Sequence, residues 1–338
     1  MSELRQNLIL RDWVIIATER AKRPEEFVTK NKEKKIMPEH SANCPFCPGK
    51  EDKTPPETFR IGDPPDGEAG KKGWRVRVVY NKFAALTPEG EATRQTCGIY
   101  RSMNGVGIHE VIIEHPRHNA LTALLGAEEV TDIIRAYKNR YLSARENKHI
   151  EAIIIFKNHG PSAGTSLEHP HSQLIATPIV PPQIRNRLEQ AVRYFDDTGR
   201  CVFCQTLQEE LRAKERIIQE TNHFVSFIHY AALSPFHIWI FPRRHMASFA
   251  AINEEEIKDL AGNLKTTLGK LYYGLDNPDF NYSIRSTPVD EPENAYFHWY
   301  LSLIPRLSQT AGFELGSGMF INVALPEKSA EFLRQVKI

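Results

Sequence analysis

The 338-residue chain lacks any long uncharged apolar run and lacks a surplus of either charge. Its short apolar stretch near the start, Leu8 to Leu10, is cut by Arg11 and Asp12, so nothing there has signal-peptide or membrane-spanning length. Lys and Arg total 43 against 42 Asp and Glu, which leaves no whole-chain field to attract nucleic acid or an anionic membrane. Any phosphate binding must be local. Cysteine is also scarce. Of the five, four fall in two C-x-x-C pairs, which suit metal binding or redox chemistry in a reducing compartment better than a secreted disulfide framework. The expectation is a cytoplasmic protein with neither nucleic acid nor membrane as partner. The fifth cysteine, Cys97, carries no assignment.

What is present is an ordinary globular composition, 41% hydrophobic and 25% charged, at a length that suggests about two domains. Residues 23–72 are rich in Pro, Lys, Glu and Gly and read as a turn-rich arm interrupted by Cys44-Pro-Phe-Cys47. Residues 75–80 and 109–114 are Val- and Ile-rich, as strands are, and 127–145 places Val130, Ile133, Ile134, Tyr137 and Tyr141 at helical spacing. A buried strand over 152–156 follows. Pro178, Pro181 and Pro182 then break the pattern before an amphipathic helix over 184–194, and the domain boundary is set there, giving 1–180 and 181–338.

Beyond that boundary the same features return in the same order. The first half runs Cys44-Pro-Phe-Cys47, Asn81-Lys-Phe-Ala-Ala-Leu-Thr-Pro88, an apolar strand ending at His118, a helix, a strand, and His169-Pro-His171. The second runs Cys201-Val-Phe-Cys204, His229-Tyr-Ala-Ala-Leu-Ser-Pro235, an apolar strand ending at His245, a helix, a strand, and His298-Trp-Tyr300. This order predicts two halves of one duplicated fold. It also predicts two zinc ions per chain, one held by Cys44, Cys47, His118 and His169, the other by Cys201, Cys204, His245 and His298. Two thiolates and two imidazoles complete a tetrahedral shell, and a C-x-x-C turn supplies half of it locally. His115 competes with His118, but the offset shared with His245 favours His118. A redox pair is the alternative for either C-x-x-C, although the Pro and Gly around Cys44 and Cys47 do not resemble the helix start that such a motif opens.

The segment from Asn158 to Gln173 packs Gly160, Ser162, Gly164, Thr165 and Ser166 ahead of two histidines, a composition that cradles phosphate through backbone N–H groups and hydroxyls. On an extended strand His169 and His171 project to one face. If a metal holds His169, His171 is left free, and a neutral imidazole can accept a phosphoryl group and pass it on. The alternative is that both histidines are ligands or core residues. Tyr300 and Ser302 stand at the positions matching His171 and Gln173, so only the first half retains the nucleophile.

Arg20-Ala-Lys-Arg-Pro24, Cys44-Pro-Phe-Cys47, Asn81 with Phe83-Ala-Ala-Leu86, and Asn158 through His169-Pro-His171-Ser-Gln173 together resemble the galactose-1-phosphate uridylyltransferase family, a branch of the histidine-triad superfamily. The resemblance spans nearly the whole chain. It implies an α+β fold of duplicated histidine-triad-like domains, each a mostly antiparallel sheet with helices packed on it. It implies a nucleotidyltransferase of the UDP-glucose:hexose-1-phosphate uridylyltransferase type, working by a ping-pong route through nucleotidyl-His171, with a nucleotide sugar and a hexose 1-phosphate as partners. Gln173 and Ser166 would assist, while Arg20, Arg23, Asn81, Asn158, Gly164 and Thr165 would contact the nucleotide and its phosphates. A homodimer is the family's usual state. Ser302 and Ile304 stand near positions where many uridylyltransferases carry histidines, and the Cys201, Cys204, His245 and His298 set with residues 312–318 instead resembles the ADP-glucose phosphorylase or adenylyltransferase branch; in the phosphorylase, inorganic phosphate is the acceptor. A nucleotide hydrolase and a zinc-ribbon nucleic-acid binder are the remaining readings. Gln173 in place of a third histidine argues against the first, and the neutral charge against the second.

Overall fold

The computed structural model describes residues 1–20, 22–28, 37–62 and 73–338, without the side chain of Arg20. The first half contains β1 (Glu3–Gln6), β2 (Trp13–Ile16), β3 (Glu57–Gly62), β4 (Trp74–Tyr80), β5 (Arg94–Cys97), β6 (Tyr100–Met103), β7 (Ile108–Ile113), α1 (Ala127–Arg145), β8 (Ala152–His159) and β9 (His171–Thr177). The second contains α2 (Pro182–Thr198), α3 (Val202–Ala213), β10 (Ile217–Glu220), β11 (Phe224–Ile228), β12 (Ile238–Pro242), α4 (Glu254–Leu275), β13 (Phe280–Arg285), β14 (Tyr300–Pro305), α5 (Gly312–Ser317), β15 (Phe320–Asn322) and α6 (Pro326–Gln335).

The helix expected over 127–145 has those bounds as α1. Its apolar stripe is buried, and Glu129 accepts the Gly126 N–H at 2.6 Å, satisfying a donor that the first turn leaves unpaired. In α4, Asn253 and Glu256 cap one another's backbone N–H groups in the same reciprocal way. The arm expected over 23–72 holds a strand that the sequence reading passed over, β3, while residues 29–36 and 63–72 lie outside the described residues. β3 shows no apolar alternation because polar side chains make its contacts: Glu57 pairs with Arg60 at 2.6 Å and also with the buried Arg77 of β4.

Among the described residues ten strands form one sheet, in the order β3-β4-β7-β9-β8-β13-β14-β12-β11-β10, and each neighbouring pair is antiparallel. The two halves mirror each other about the β8–β13 seam. Phe156 pairs with Gln173, Ser283 with Ser302, and Phe156 with Ser283, so a local two-fold axis passes through this last pair. This is the α+β fold expected, and the halves share a continuous sheet.

On one face of the sheet α1 and α4 pack side by side, burying Ile112, Ile155, Leu174, Ile240 and Leu303 with Ile134 and Leu264 in the main core. The other face is treated unequally. In the second half α2 and α3 cover it, setting Phe203 and Leu207 against Trp239, Phe241 and Tyr300. In the first half the described residues place there a small cluster of Cys44, Phe46, Cys47, Trp74, Val79, Val111 and Ile113, and beside that cluster none of them covers the sheet. A separate three-stranded sheet, β1-β2-β15, brings β15 parallel to β2 and so joins the two ends of the described chain.

Candidate active site

The open face holds a cavity of about 880 Å³, lined by Cys44, Phe46, Asn81, Phe83, Val111, Ser166, His171 and Gln173 among others. Strand periodicity explains the lining. Val111 on β7 pairs with Gln173 on β9, and His171, two residues before Gln173, projects to the same side. Phe46 stands edge-on to both His169 and His171, with ring centroids 6.0 and 5.6 Å away, so the two imidazoles share one neighbour as the H-P-H spacing predicts.

The hydrogen bonds fix the tautomers of both rings. His171 Nδ1 lies 2.8 Å from the carbonyl oxygen of His169, which can only accept, so Nδ1 carries the proton and Nε2 keeps its lone pair. Burial lowers the His171 pKa and favours this neutral form. His169 has the opposite arrangement. Its Nε2–H donates to the His115 carbonyl oxygen at 2.7 Å, which leaves Nδ1 unprotonated, 3.7 Å from both Cys44 Sγ and Cys47 Sγ. His118 Nδ1 lies 3.6 Å from Cys47 Sγ, and all four side chains are buried.

Zinc fits this set. Bonds of about 2.3 Å to sulfur and 2.0 Å to nitrogen place S and N roughly 3.6 Å apart in a tetrahedron, as found here. His115 does not join the group, since its Nε2 meets Glu129 at 2.8 Å and its Nδ1 accepts the Arg117 N–H. The second set assembles in part. Cys201, Cys204 and His245 converge, and His298 Nδ1 approaches Cys204 Sγ at 3.3 Å. Here the cysteines do open a helix, with Cys201 capping α3, unlike the turn that holds Cys44 and Cys47. Both groups could hold a metal.

The remaining expected residues divide. Asn81 lines the cavity, with its Nδ2 donating to Gln173 Oε1 at 3.3 Å. Asn158 lies beside His171 on the same sheet face, because Phe156, two residues earlier, pairs with Gln173. Thr165 bonds to the Asn158 carbonyl, and Gly164, at φ +86°, is exposed; neither lines the cavity. Gly160 is the glycine the loop requires, since a Cβ there would lie 2.1 Å from Asp279 Oδ1. Arg23 is exposed at the start of a short 3-10 turn and away from the lining, and the side chain of Arg20 lies outside the described residues. Among the described residues the cations that line the cavity are Lys50, Lys53 and Lys82.

The sequence reading missed His109. Its Nδ1 accepts the Ala85 N–H at 3.0 Å, so its Nε2–H donates to Gln173 Oε1 at 2.8 Å. The Gln173 NH₂ group therefore turns away from His109 as a donor. One signal was available: His237, two residues before Trp239 as His109 is before Val111, likewise bonds to Ser302, the counterpart of Gln173, at 2.8 Å.

A duplicated antiparallel sheet carries a neutral imidazole with an unprotonated nitrogen and amide side chains beside it, an arrangement chemically able to pass on a phosphoryl group. Comparison with known proteins sharpens the class. Residues 1–181 match the N-terminal domain of galactose-1-phosphate uridyl transferase and residues 187–336 match the C-terminal domain. The chain belongs to the galactose-1-phosphate uridyl transferase family. It is 38% identical to an ADP-glucose phosphorylase of Arabidopsis thaliana over 99% of this chain and 93% of that protein. It is 26% identical to a galactose-1-phosphate uridylyltransferase of Thermotoga maritima, over 100% and 99%. A crystal structure of an Arabidopsis thaliana ADP-glucose phosphorylase with bound ADP-glucose superposes with a TM-score of 0.84 at 35% identity, covering 100% of this chain and 99% of that one. No helix among the described residues is long and apolar enough to cross a membrane.

Proposed function

We propose that the protein transfers a nucleoside monophosphate from a nucleotide sugar, through His171, to a phosphate-bearing acceptor. The observation that carries this reading is the free Nε2 of a buried neutral His171, held by the Nδ1 bond to the His169 carbonyl at the wall of a cavity. The Nε2 lone pair attacks the α-phosphorus, and the bond from phosphorus to the sugar-phosphate oxygen breaks, releasing hexose 1-phosphate. The ring then carries a positive charge, which the His169 carbonyl stabilises through the retained Nδ1–H. An oxygen of the acceptor attacks phosphorus, the N–P bond breaks, and neutral His171 returns. Gln173 donates its NH₂ group to the equatorial oxygens, with Asn81, Asn158 and Ser166 nearby, and Lys50 and Lys82 offset the charge of the incoming phosphates.

Zinc at Cys44, Cys47, His118 and His169, with a second ion at Cys201, Cys204, His245 and His298, would supply structural bonds alone. Anchoring His169 also anchors the carbonyl that selects the His171 tautomer. The departure at Ser302 and the 38% relative support adenylyl transfer from ADP-glucose to inorganic phosphate over uridylyl transfer to a hexose 1-phosphate. We further take 1–180 and 181–338 as the domains and the working form as a cytoplasmic homodimer. Phe83, Ile99 and Tyr100, large apolar side chains left exposed, support a covering partner. Incubation with ADP-glucose and UDP-glucose, each labelled in the nucleoside phosphate, tests the reading. The expected result is an acid-labile, base-stable label from ADP-glucose, discharged by inorganic phosphate faster than by galactose 1-phosphate. A label on serine, or none, overturns the mechanism.

A further inference from the structure

Across the β8–β13 seam the second half reaches into the loop that precedes His171. Asp279 accepts the Ser162 N–H at 2.7 Å, Asn277 Oδ1 meets His159 Nε2 at 3.1 Å, and Asn281 pairs with Asn158 in the strand register. Asn281 Nδ2 donates to Asn158 Oδ1 at 2.7 Å and to the Ala163 carbonyl at 2.9 Å, while Arg306 Nε–H donates to Asn281 Oδ1.

The orientation of these amides is forced. A guanidinium can only donate and a carbonyl can only accept, so Asn281 must turn its oxygen to Arg306 and its nitrogen to Ala163. With both Asn281 protons directed that way, the atom of Asn158 facing it must be the oxygen. The Asn158 NH₂ group is then turned away from Asn281, on the face that carries His171, and it has no hydrogen-bond partner among the described residues. A carboxamide free to rotate would offer oxygen or nitrogen to a ligand. This one offers only a donor, the group that a transferring phosphoryl's charged oxygens need.

We propose that Asn281, held by Arg306, is a positioning residue that locks the Asn158 amide as a hydrogen-bond donor to the transferring phosphoryl group. The inference rests on the function proposed above. It gives the half without a nucleophile a defined part in the chemistry: Arg306, Asn281 and Asn158 form a chain of hydrogen bonds that starts at the exposed Arg306 guanidinium and ends beside His171.

The test is the isosteric substitution Asn281→Asp, which keeps an acceptor for Arg306 but loses both donors. Asn158 then rotates to donate to the new carboxylate and presents its oxygen to the phosphoryl group. Losing one donor of this kind typically costs about 10²–10³ in kcat, so the single-turnover rate of His171 labelling from ADP-glucose should fall about a hundredfold. Zinc content and melting temperature should stay near wild type. In an Asn158→Ala background the same substitution should change the rate less than about twofold, since the group being oriented is gone. A purely structural tie, or general repulsion by the added charge, would lower the rate equally in both backgrounds and overturn the proposal. So would an undiminished rate in Asn281→Asp when the wild type takes label normally. A wild type that takes no label from any nucleotide sugar would overturn the transfer reading and this positioning role with it.

Discussion

At the scale of single residues the site depends on which atom of a ring or amide faces the cavity. His171→Gly should abolish covalent labelling while leaving metal content and melting temperature near wild type, because it removes the nucleophile without removing any thiol or imidazole of the Cys44 group. Added imidazole should restore part of the transfer from solution. A label persisting in this variant, or mapping to Ser166 or Ser172, would defeat the assignment. The residue types were legible in the sequence: Cys44, Cys47, His118 and His169 converge as their spacing suggested, and His171 and Gln173 share a face because strand alternation requires it. Their orientation was not. His109, Asn281 and Arg306 set it from elements distant in sequence, and a hydrogen-bond partner across strands leaves no local pattern to read.

At the scale of elements, β7, β8 and β9 are tied beneath the site by a polar cluster inside the helix-covered face. Glu114, just past β7, pairs with Lys157 of β8 and accepts from Ser172 of β9, with Tyr137 of α1 at 3.1 Å and Thr122 at 3.2 Å. Burial alone would raise the Glu114 carboxyl, but the Lys157 ammonium and the Ser172 and Tyr137 hydroxyls outweigh it and hold the pKa below the usual glutamate value. The stability this contributes is therefore present above the unfolded value and is lost as pH falls through the lower, folded value. Glu114→Gln strands a buried ammonium and should cost about 3–5 kcal/mol, whereas Glu114→Leu with Lys157→Met should cost much less, since an apolar pair replaces both charges. Chemical denaturation at pH 7 checks the contrast, and the Gln variant should lose Glu114's share of the acid sensitivity, leaving that of other carboxylates held low, such as Glu57 and Glu327. Elements with a strong period, such as α1, could be read within a residue. β3 could not, because ion pairs rather than apolar packing hold its side chains.

At the scale of the whole molecule, the repeat seen in the sequence becomes the two-fold of one sheet, but its inequality was hidden: α2 and α3 fill one side with aromatic core and leave the other open. Metal analysis should find about two zinc ions per chain, falling to about one in Cys201→Ser/Cys204→Ser, while His169→Asn should lower metal content, stability and activity together. A count near one that is unchanged in the double variant removes the second site. The two-fold through Phe156 and Ser283 also makes the edge of β8 self-complementary. A fragment ending at residue 180 would expose that edge and should dimerise isologously, Phe156 against Phe156, which light scattering would detect. In that dimer the residue opposite Asn158 is Ile154 of the other copy, which can hold no amide in place. The fragment should therefore assemble yet transfer slowly, because sequence divergence between the halves frees the seam to carry two different residues at what would otherwise be one repeated position.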